Sequence, residues 1–183
     1  MIIQDGTGEG QNAGVDSANR LQVSARSNSR SYYQSRTGNT YTIIAADAGP
    51  VAAEYTLYFK NDSAVDNFVV SRIDTYATDA DVVWKLAKVT GTAATAAAIT
   101  PVQTNTGSGK SALTTCRGGA GGVTGLTPST VIWQWYNGVA NTTRQMDTGD
   151  TLIVGPGQAI ALEYDAGTGG AVLINMVGFY DVE

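Results

Sequence analysis

Apolar and polar residues alternate with a period of two along much of the chain, between short clusters of Gly, Asn, Asp and Pro. In the segment 54–60, for example, Tyr55, Leu57 and Phe59 fall on one face. Such alternation is typical of β-strands with one buried face, and the 3.6-residue period of an amphipathic helix is hard to find anywhere. The pattern therefore predicts an all-β protein.

About eight strands are predicted, separated by turns and by two long loops. The strands cover residues 54–60, 68–78, 82–89, a weaker Ala- and Thr-rich stretch up to 102, 131–136, 150–154, 158–164 and 171–180, and the loops cover 104–129 and 137–149. Short strands of irregular spacing joined by long loops favour a double-sheet jelly roll over an up-and-down barrel. We therefore predict a jelly-roll-like β-sandwich for residues 41–183.

A tight turn is predicted at Gly-Pro-Gly-Gln, residues 155–158, between the apolar runs TLIV and AIALEY. Pro156 presets its own φ, and Gly157 can adopt a positive φ, as such turns require. Because the two flanking runs are short and alternating, we predict that they pair as an antiparallel hairpin.

The first 40 residues differ from the rest, being rich in Gly, Ser, Asn, Arg and Gln with one short alternating patch at 21–25. Between residues 17 and 46 there are four arginines and no acid, whereas residues 47–183 contain 13 acids and 7 bases. We predict that residues 1–40 form an extended, cationic N-terminal arm on an acidic body.

The arm contains the residue types that are enriched where a segment orders on a partner protein, because Arg offers forked donors and Tyr offers an amphipathic ring. The predicted partner-binding residues are Arg20, Leu21, Val23, Arg26, Arg30, Tyr32, Tyr33 and Arg36. An acidic partner surface would suit them. A solvated, disordered leader is the alternative, and nucleic acid is disfavoured because four charges on an acidic protein would bind it weakly.

The composition excludes several kinds of catalytic and redox site. The chain of 183 residues has a net charge of −5, no histidine and the single cysteine Cys116. A Ser-His-Asp or Cys-His triad, a CxxC pair and an internal disulfide are excluded. The longest apolar runs are too short to span a membrane, and the N-terminus has no export signal. We expect a soluble, non-enzymatic protein without a cofactor, a metal or a membrane partner.

Two short motifs resemble functional signatures. Gly-Lys-Ser at 109–111 resembles the end of a phosphate-binding P-loop, but Thr104 stands where the first glycine belongs and no helix follows. Asp-Thr-Gly at 147–149 matches the aspartic-protease triplet, which would need a second aspartate from a dimer. We interpret the first motif as a surface loop and the second as a turn before a strand, with a dimeric protease as a further hypothesis.

Several other residues have a structural interpretation as well as a functional one. Trp133 and Trp135 share a strand face, so we expect them in the core or a subunit interface, with stacking on sugars as the alternative. The sequons at 61–63 and 141–143 are interpreted as turn residues. The acidic groups around residues 74–81 lack the EF-hand pattern, which leaves calcium binding as a weak alternative.

The segment 5–25, DGTGEGQNAGVDSANRLQVSA, is similar to the leader of a set of tailed-bacteriophage virion proteins with a Gly-Thr-Gly run and a Val-Asp-Ser-x-Asn-Arg-Leu motif. Segments 79–92, 98–112, 125–137 and 155–183 resemble the body of the same kind of protein. The resemblance implies a small structural subunit with a jelly-roll body, attached to the virion through its N-terminal segment and without enzyme activity.

On this resemblance we expect a head decoration or cement protein, located on the virion after assembly in the host cytoplasm. Its partners would be the major capsid protein or other virion proteins, and the free cysteine suits assembly in a reducing compartment. A tail-fibre or spike module that binds host glycans is the alternative.

A homotrimer is the expected oligomer, partly by analogy with jelly-roll cement and fibre-head proteins and partly because the last strand is apolar on both faces. One face has Leu173, Val177 and Phe179, and the other has Ile174, Met176 and Tyr180. We predict that Ile174, Met176 and Tyr180 lie in an oligomer interface, while the other face packs into the sandwich.

Overall fold

The computed structural model describes residues 14–15, 21–22, 30–167 and 169–182. The elements are β1 (Gly14–Val15), β2 (Leu21–Gln22), α1 (Arg30–Arg36), β3 (Thr40–Asp47), β4 (Glu54–Asn61), β5 (Asn67–Ala77), β6 (Val82–Ala98), β7 (Val102–Gln103), β8 (Thr114–Asn137), β9 (Thr142–Val154), β10 (Ala159–Ala166) and β11 (Val172–Asp181). Strands β3 to β11 form two antiparallel sheets that pack face to face, so the predicted all-β sandwich is confirmed.

The strand order is that of a jelly roll. One sheet has the order β7-β3-β11-β5-β9, and the other has β4-β10-β6-β8. Apart from the two-residue β7, the eight strands of the sandwich pair first with last, second with seventh, third with sixth and fourth with fifth. A long hairpin wound into two packed sheets has this pairing. The jelly-roll prediction therefore agrees with the observed topology.

The turn at 155–158 is present, but the hairpin predicted around it is wrong. Gln158 N donates to Gly155 O at 3.0 Å, and Gly157 has a φ of 70°. The strand before the turn, β9, pairs with β5, whereas β10 after the turn pairs with β4 and β6 in the other sheet. The chain crosses between sheets here, because both strands can then direct their apolar faces into the same core.

Both predicted long loops are largely strand. β8 extends from Thr114 to Asn137 and pairs with β6 along nearly its whole length, and β9 begins at Thr142. The alternation is obscured because most residues of 124–132 are exposed and because four register shifts interrupt the β6–β8 ladder. β3, at Thr40–Asp47, also lies outside the predicted strands.

The main core fills the space between the two sheets. Its largest fully buried side chains include Trp84, Tyr164, Phe59, Phe68 and Ile43. A smaller second cluster lies on the outer side of β4 and β10, where the far part of the β6–β8 pair curls over that sheet. Strands β10, β4, β8 and β6 thus close into a ring.

The oligomer interface predicted on β11 is wrong. Ile174, Met176 and Tyr180 are 0%, 1% and 5% exposed, respectively, and belong to the main core. β11 lies between β3 and β5 in the middle of its sheet, so these side chains point towards the opposite sheet. The solvent face instead has Leu173, which is 44% exposed. Phe179, on the same face as Leu173, is also fully buried, but it does not belong to the main core cluster.

The predicted arm is only partly described. Residues 1–13, 16–20 and 23–29 lie outside the described residues, and residues 30–36, predicted to be extended, form the helix α1. A helix of seven residues offers too few alternations for a periodicity signal, so the sequence pattern missed it. In the described part of the chain, no helix is long and apolar enough to cross a membrane.

Candidate docking site at the α1 end of the sandwich

Residues 30–40 of the predicted arm lie at one end of the sandwich, which we call the α1 end. It contains α1, loop 61–66, loop 104–113 and Val182, which follows the last strand. α1 leads into β3, and Tyr180 N donates to Asn39 O at 2.9 Å, so the helix adjoins the end of the last strand. The arm therefore meets the body where the first and last strands of the jelly roll pair.

The end of α1 is fixed by a Schellman motif. Gly38 has a φ of 76°, and its N–H donates to Ser35 O at 3.1 Å. Asn39 N donates to Gln34 O at 2.8 Å, which completes the motif. Glycine suits this position because a left-handed backbone costs it nothing. The turn directs the chain from the helix straight into β3.

A buried amide pair locks α1 to the body. Gln34 and Asn39 are both buried, and Asn39 Nδ2 donates to Gln34 Oε1 at 2.8 Å. Gln34 Nε2 donates to Val182 O at 3.4 Å, and Asn39 Oδ1 accepts from Lys110 Nζ at 2.9 Å. Buried amides are stable only when such partners are present, so these contacts hold the helix in one orientation.

Loop 104–113 and the preceding strand β7 also hold this helix. Asn105 Nδ2 donates to Arg36 O at 3.1 Å, and Gln103 Nε2 donates to Gly38 O. The Gly-Lys-Ser segment at 109–111 belongs to this loop, and Lys110 binds Asn39. The interpretation of that segment as a surface loop is consistent with its exposed residues. Its lysine is used to position α1.

Three of the predicted partner-binding side chains are exposed on α1. Tyr32, Tyr33 and Arg36 point into solvent, and Tyr32 and Arg36 share a face because they are four residues apart. Leu21 and Arg30 are described only by their backbone, and Arg20, Val23 and Arg26 lie outside the described residues. The exposed group of two phenol rings and a guanidinium is an aromatic, cationic surface.

A cleft of about 310 Å³ opens beside this helix. It is lined by Asn39, Tyr41, Asp66, Lys110, Ser111, Leu113, Tyr180 and Val182. Tyr180 is buried at its base, where its hydroxyl donates to Leu113 O at 2.5 Å and burial raises the pKa of the phenol. The cleft thus combines apolar lining residues with the charged side chains of Asp66 and Lys110.

The other residues considered from the sequence lie away from this end or inside the core. Trp84 and Trp135 are buried, and Trp133 is packed against the core. Asn61 of the first sequon is fully buried. Cys116 is buried, and this burial raises the pKa of its thiol to about 11, so it is a poor nucleophile.

The Asp-Thr-Gly segment at 147–149 lies within β9, which corrects its interpretation as a turn before a strand. Asp147 Oδ1 accepts from Gly149 N at 2.9 Å, and Thr148 Oγ1 donates to Val70 O. The register shift between Val70 and Arg72 accommodates this segment as a bulge in the edge strand. Its side chains therefore have structural partners within the sheet.

Comparison of the chain with protein-family models, with curated proteins and with solved structures finds no match in any of the three. In the described ranges, no group of three or more His, Cys, Asp or Glu side chains could hold a metal ion.

Replacing Gly38 with alanine is expected to destabilise the α1 end by about 1–3 kcal/mol. The residue would have to keep a positive φ, and its Cβ would overlap Ser108 Oγ. Hydrogen exchange of residues 30–40 measures the effect locally. The matched control is Gly109→Ala in the adjoining loop, where a Cβ meets nothing within 4 Å. Equal exchange in the two variants would contradict the role given to Gly38.

Proposed function

We propose that this chain is a non-enzymatic structural protein of a tailed-bacteriophage virion, a head decoration or cement subunit. In this proposal the N-terminal segment binds the major capsid protein or another virion protein, and the jelly-roll body projects from the particle. The observation that carries the proposal is the anchoring of α1, because it connects a cationic N-terminal segment rigidly to the sandwich.

The anchoring supports docking because it limits the freedom of the helix before any partner binds. Gln34 and Asn39 hold one side of α1, while Tyr32, Tyr33 and Arg36 are exposed. A preorganised surface loses less conformational entropy on binding than a mobile one. Tyr and Arg are also the side chains that most often dominate binding energies at protein interfaces.

The charge distribution supports an orientation in which the N-terminal segment faces the partner and the body points away from it. The four arginines between residues 17 and 46 would face acidic groups of the partner, and the body, with 13 acids against 7 bases, would be repelled from them. One such segment binds weakly. An oligomer increases the effective concentration of its other segments, which makes the attachment much tighter.

The alternative proposal, a glycan-binding fibre or spike module, depends on exposed aromatic side chains. Trp84 and Trp135 are in the core, and Trp135 Nε1 is engaged with Thr75 Oγ1 at 3.1 Å. Stacking on a sugar needs an accessible ring face. The tryptophans therefore favour the structural proposal over glycan binding.

The test is incorporation into virions of the parent phage. Removing residues 1–29 is expected to lower the copy number per virion at least about tenfold, because the docking segment is lost, while purified truncated protein keeps its unfolding temperature. Quantitative mass spectrometry of purified virions measures this. Arg36→Glu should lower incorporation as well, whereas Arg144→Glu on the exposed edge strand β9 serves as the control. Unchanged incorporation of the truncated protein would refute the proposed docking segment.

A further inference from the structure

A large part of the β6–β8 pair forms an uncharged surface. We define the uncharged ribbon as residues 89–98 of β6 and 118–137 of β8, which contain no Asp, Glu, Lys or Arg. Most of its residues are exposed. In a protein with a net charge of −5, solvent-facing strands normally include charged side chains. Depletion of charge is instead a property of the centres of protein interfaces.

The hydroxyl groups of Thr90 and Thr95 are bonded within the ribbon itself. Thr95 Oγ1 donates to Gly122 O at 2.6 Å and lies 3.1 Å from Thr124 Oγ1. Thr90 Oγ1 donates to Thr127 O at 3.4 Å. With their hydroxyls used internally, these threonines present fewer unsatisfied polar groups to a contacting surface. Covering the ribbon therefore costs less desolvation than covering an ordinary polar surface.

Small and stiff side chains also reduce the conformational entropy that is lost when this surface is covered. Alanine and glycine lose no side-chain entropy on burial, and β-branched threonine and valine lose little, because their χ1 angle is already restricted. The exposed residues of 90–98 are all Thr, Ala or Gly. The ribbon is thus closer to a preformed contact surface than to a solvated face.

The ribbon adjoins a largely apolar groove. Val131 and Ile132 are exposed on β8, and Ile132 lines a groove of about 100 Å³ together with Ile153, Val154, Ile160 and the charged residue Lys88. Ile153, on the edge strand β9, is also exposed. Apolar side chains from the edges of both sheets thus meet beside the ribbon, where an interface would bury them.

The acidic charge of the body favours a second copy of this chain as the partner at this surface. Two copies of an acidic body repel each other through most of their surfaces, since residues 47–183 contain 13 acids and 7 bases. The uncharged ribbon is a surface through which two such copies can approach without bringing acidic groups together, and the charged residue that lines the adjoining groove, Lys88, is a base. We propose that copies of this chain associate through the uncharged ribbon and the adjoining groove. This interface replaces the one predicted on β11, and it does not depend on the proposed virion function.

The test is self-association of the purified full-length chain, measured by sedimentation velocity. The wild-type protein is expected to form an oligomer that persists or tightens at high salt, because salt screens the repulsion between acidic bodies. Val131→Glu and Val131→Lys are each expected to raise the dissociation constant at least about 30-fold, because either charge would be buried on contact. A charge of either sign has the same effect only if the position is covered.

The matched control is Ile44→Glu on β3 in the other sheet. Ile44 is 52% exposed and Val131 is 51% exposed, and both are β-branched apolar residues. This variant should associate like the wild type, and circular dichroism checks that all variants fold. The proposal is overturned if the wild-type protein is monomeric, if only Val131→Glu weakens association, or if Ile44→Glu weakens it equally. Virion incorporation does not enter this measurement, so failure here is separable from failure of the docking proposal.

Discussion

Replacing Asn61 with alanine is expected to lower the free energy of unfolding by about 3–5 kcal/mol. The side chain is fully buried, and its Nδ2 donates to Asp66 O at 2.8 Å and to Val154 O at 2.9 Å. Its Oδ1 accepts from Ser63 N at 3.0 Å. Alanine would leave all three backbone groups without these partners, and each buried unpaired group costs about 1–3 kcal/mol.

The effect should be large because Asn61 connects three segments at the α1 end. Its backbone N donates to Gln158 O at 3.0 Å, and its carbonyl accepts from Gly157 N at 2.8 Å. The side chain adds loop 61–66 and the end of β9 to this group. Loss of the amide therefore loosens two connections that cross between the sheets, the one from β4 to β5 and the one from β9 to β10.

Urea unfolding followed by tryptophan fluorescence measures the change. Asn67→Ala is the control, because Asn67 is exposed and its replacement should change stability by no more than about 0.5 kcal/mol. Asn61→Asp keeps an acceptor for Ser63 N but loses both donated bonds and buries a charge, so it should be no better than alanine. If Asn61→Ala cost no more than the control, the amide would not hold these segments together.

Replacing Trp84 with alanine is the second change expected to have a large effect, a loss of about 3–5 kcal/mol. Trp84 is fully buried and packs edge-to-face on Tyr164, with ring centroids 5.7 Å apart. It also lies opposite Trp135 in the β6–β8 ladder. The truncation would leave a large cavity in the main core, and the surrounding strands could close it only partly.

Trp84→Phe should be much milder, costing less than about 2 kcal/mol. The indole Nε1 of Trp84 is buried without a hydrogen-bond partner in the structure, so phenylalanine removes an unsatisfied donor together with some volume. Trp135→Phe is the comparison, because Trp135 Nε1 donates to Thr75 Oγ1. Thermal and urea unfolding measure all three variants. Equal costs for Trp84→Phe and Trp84→Ala would show that the indole is held by more than packing.

Alternation along the chain was enough to identify the fold class and several strands. Strands β4 and β5 match their predicted segments to within a residue or so at each end, because one face of each is buried and the period is clear. The turn at 155–158 was also predicted, since Pro156 and Gly157 have strong local preferences. The local sequence pattern indicates which residues share a strand face and where the chain must turn.

Partner strands and buried faces were decided only in three dimensions. The pattern cannot say that β9 and β10 join opposite sheets, because crossing and hairpin formation need the same turn. Nor can it say which apolar face of β11 meets the core when both are apolar, as Ile174 and Leu173 illustrate. These choices depend on how the two sheets close around one interior.

Some features of the candidate site could likewise be predicted from the sequence, and others were decided only by the tertiary structure. The sequence by itself determined the charge separation between the arginine-rich segment and the acidic body, because net charge follows directly from composition. It also predicted Tyr32, Tyr33 and Arg36 as partner-binding residues, and these side chains are exposed. Only the tertiary structure placed Lys110 on Asn39, 71 residues apart, and brought residues 89–98 and 118–137 together as an uncharged surface. Such contacts join distant segments whose encounter depends on the whole folded chain, and no local pattern records them.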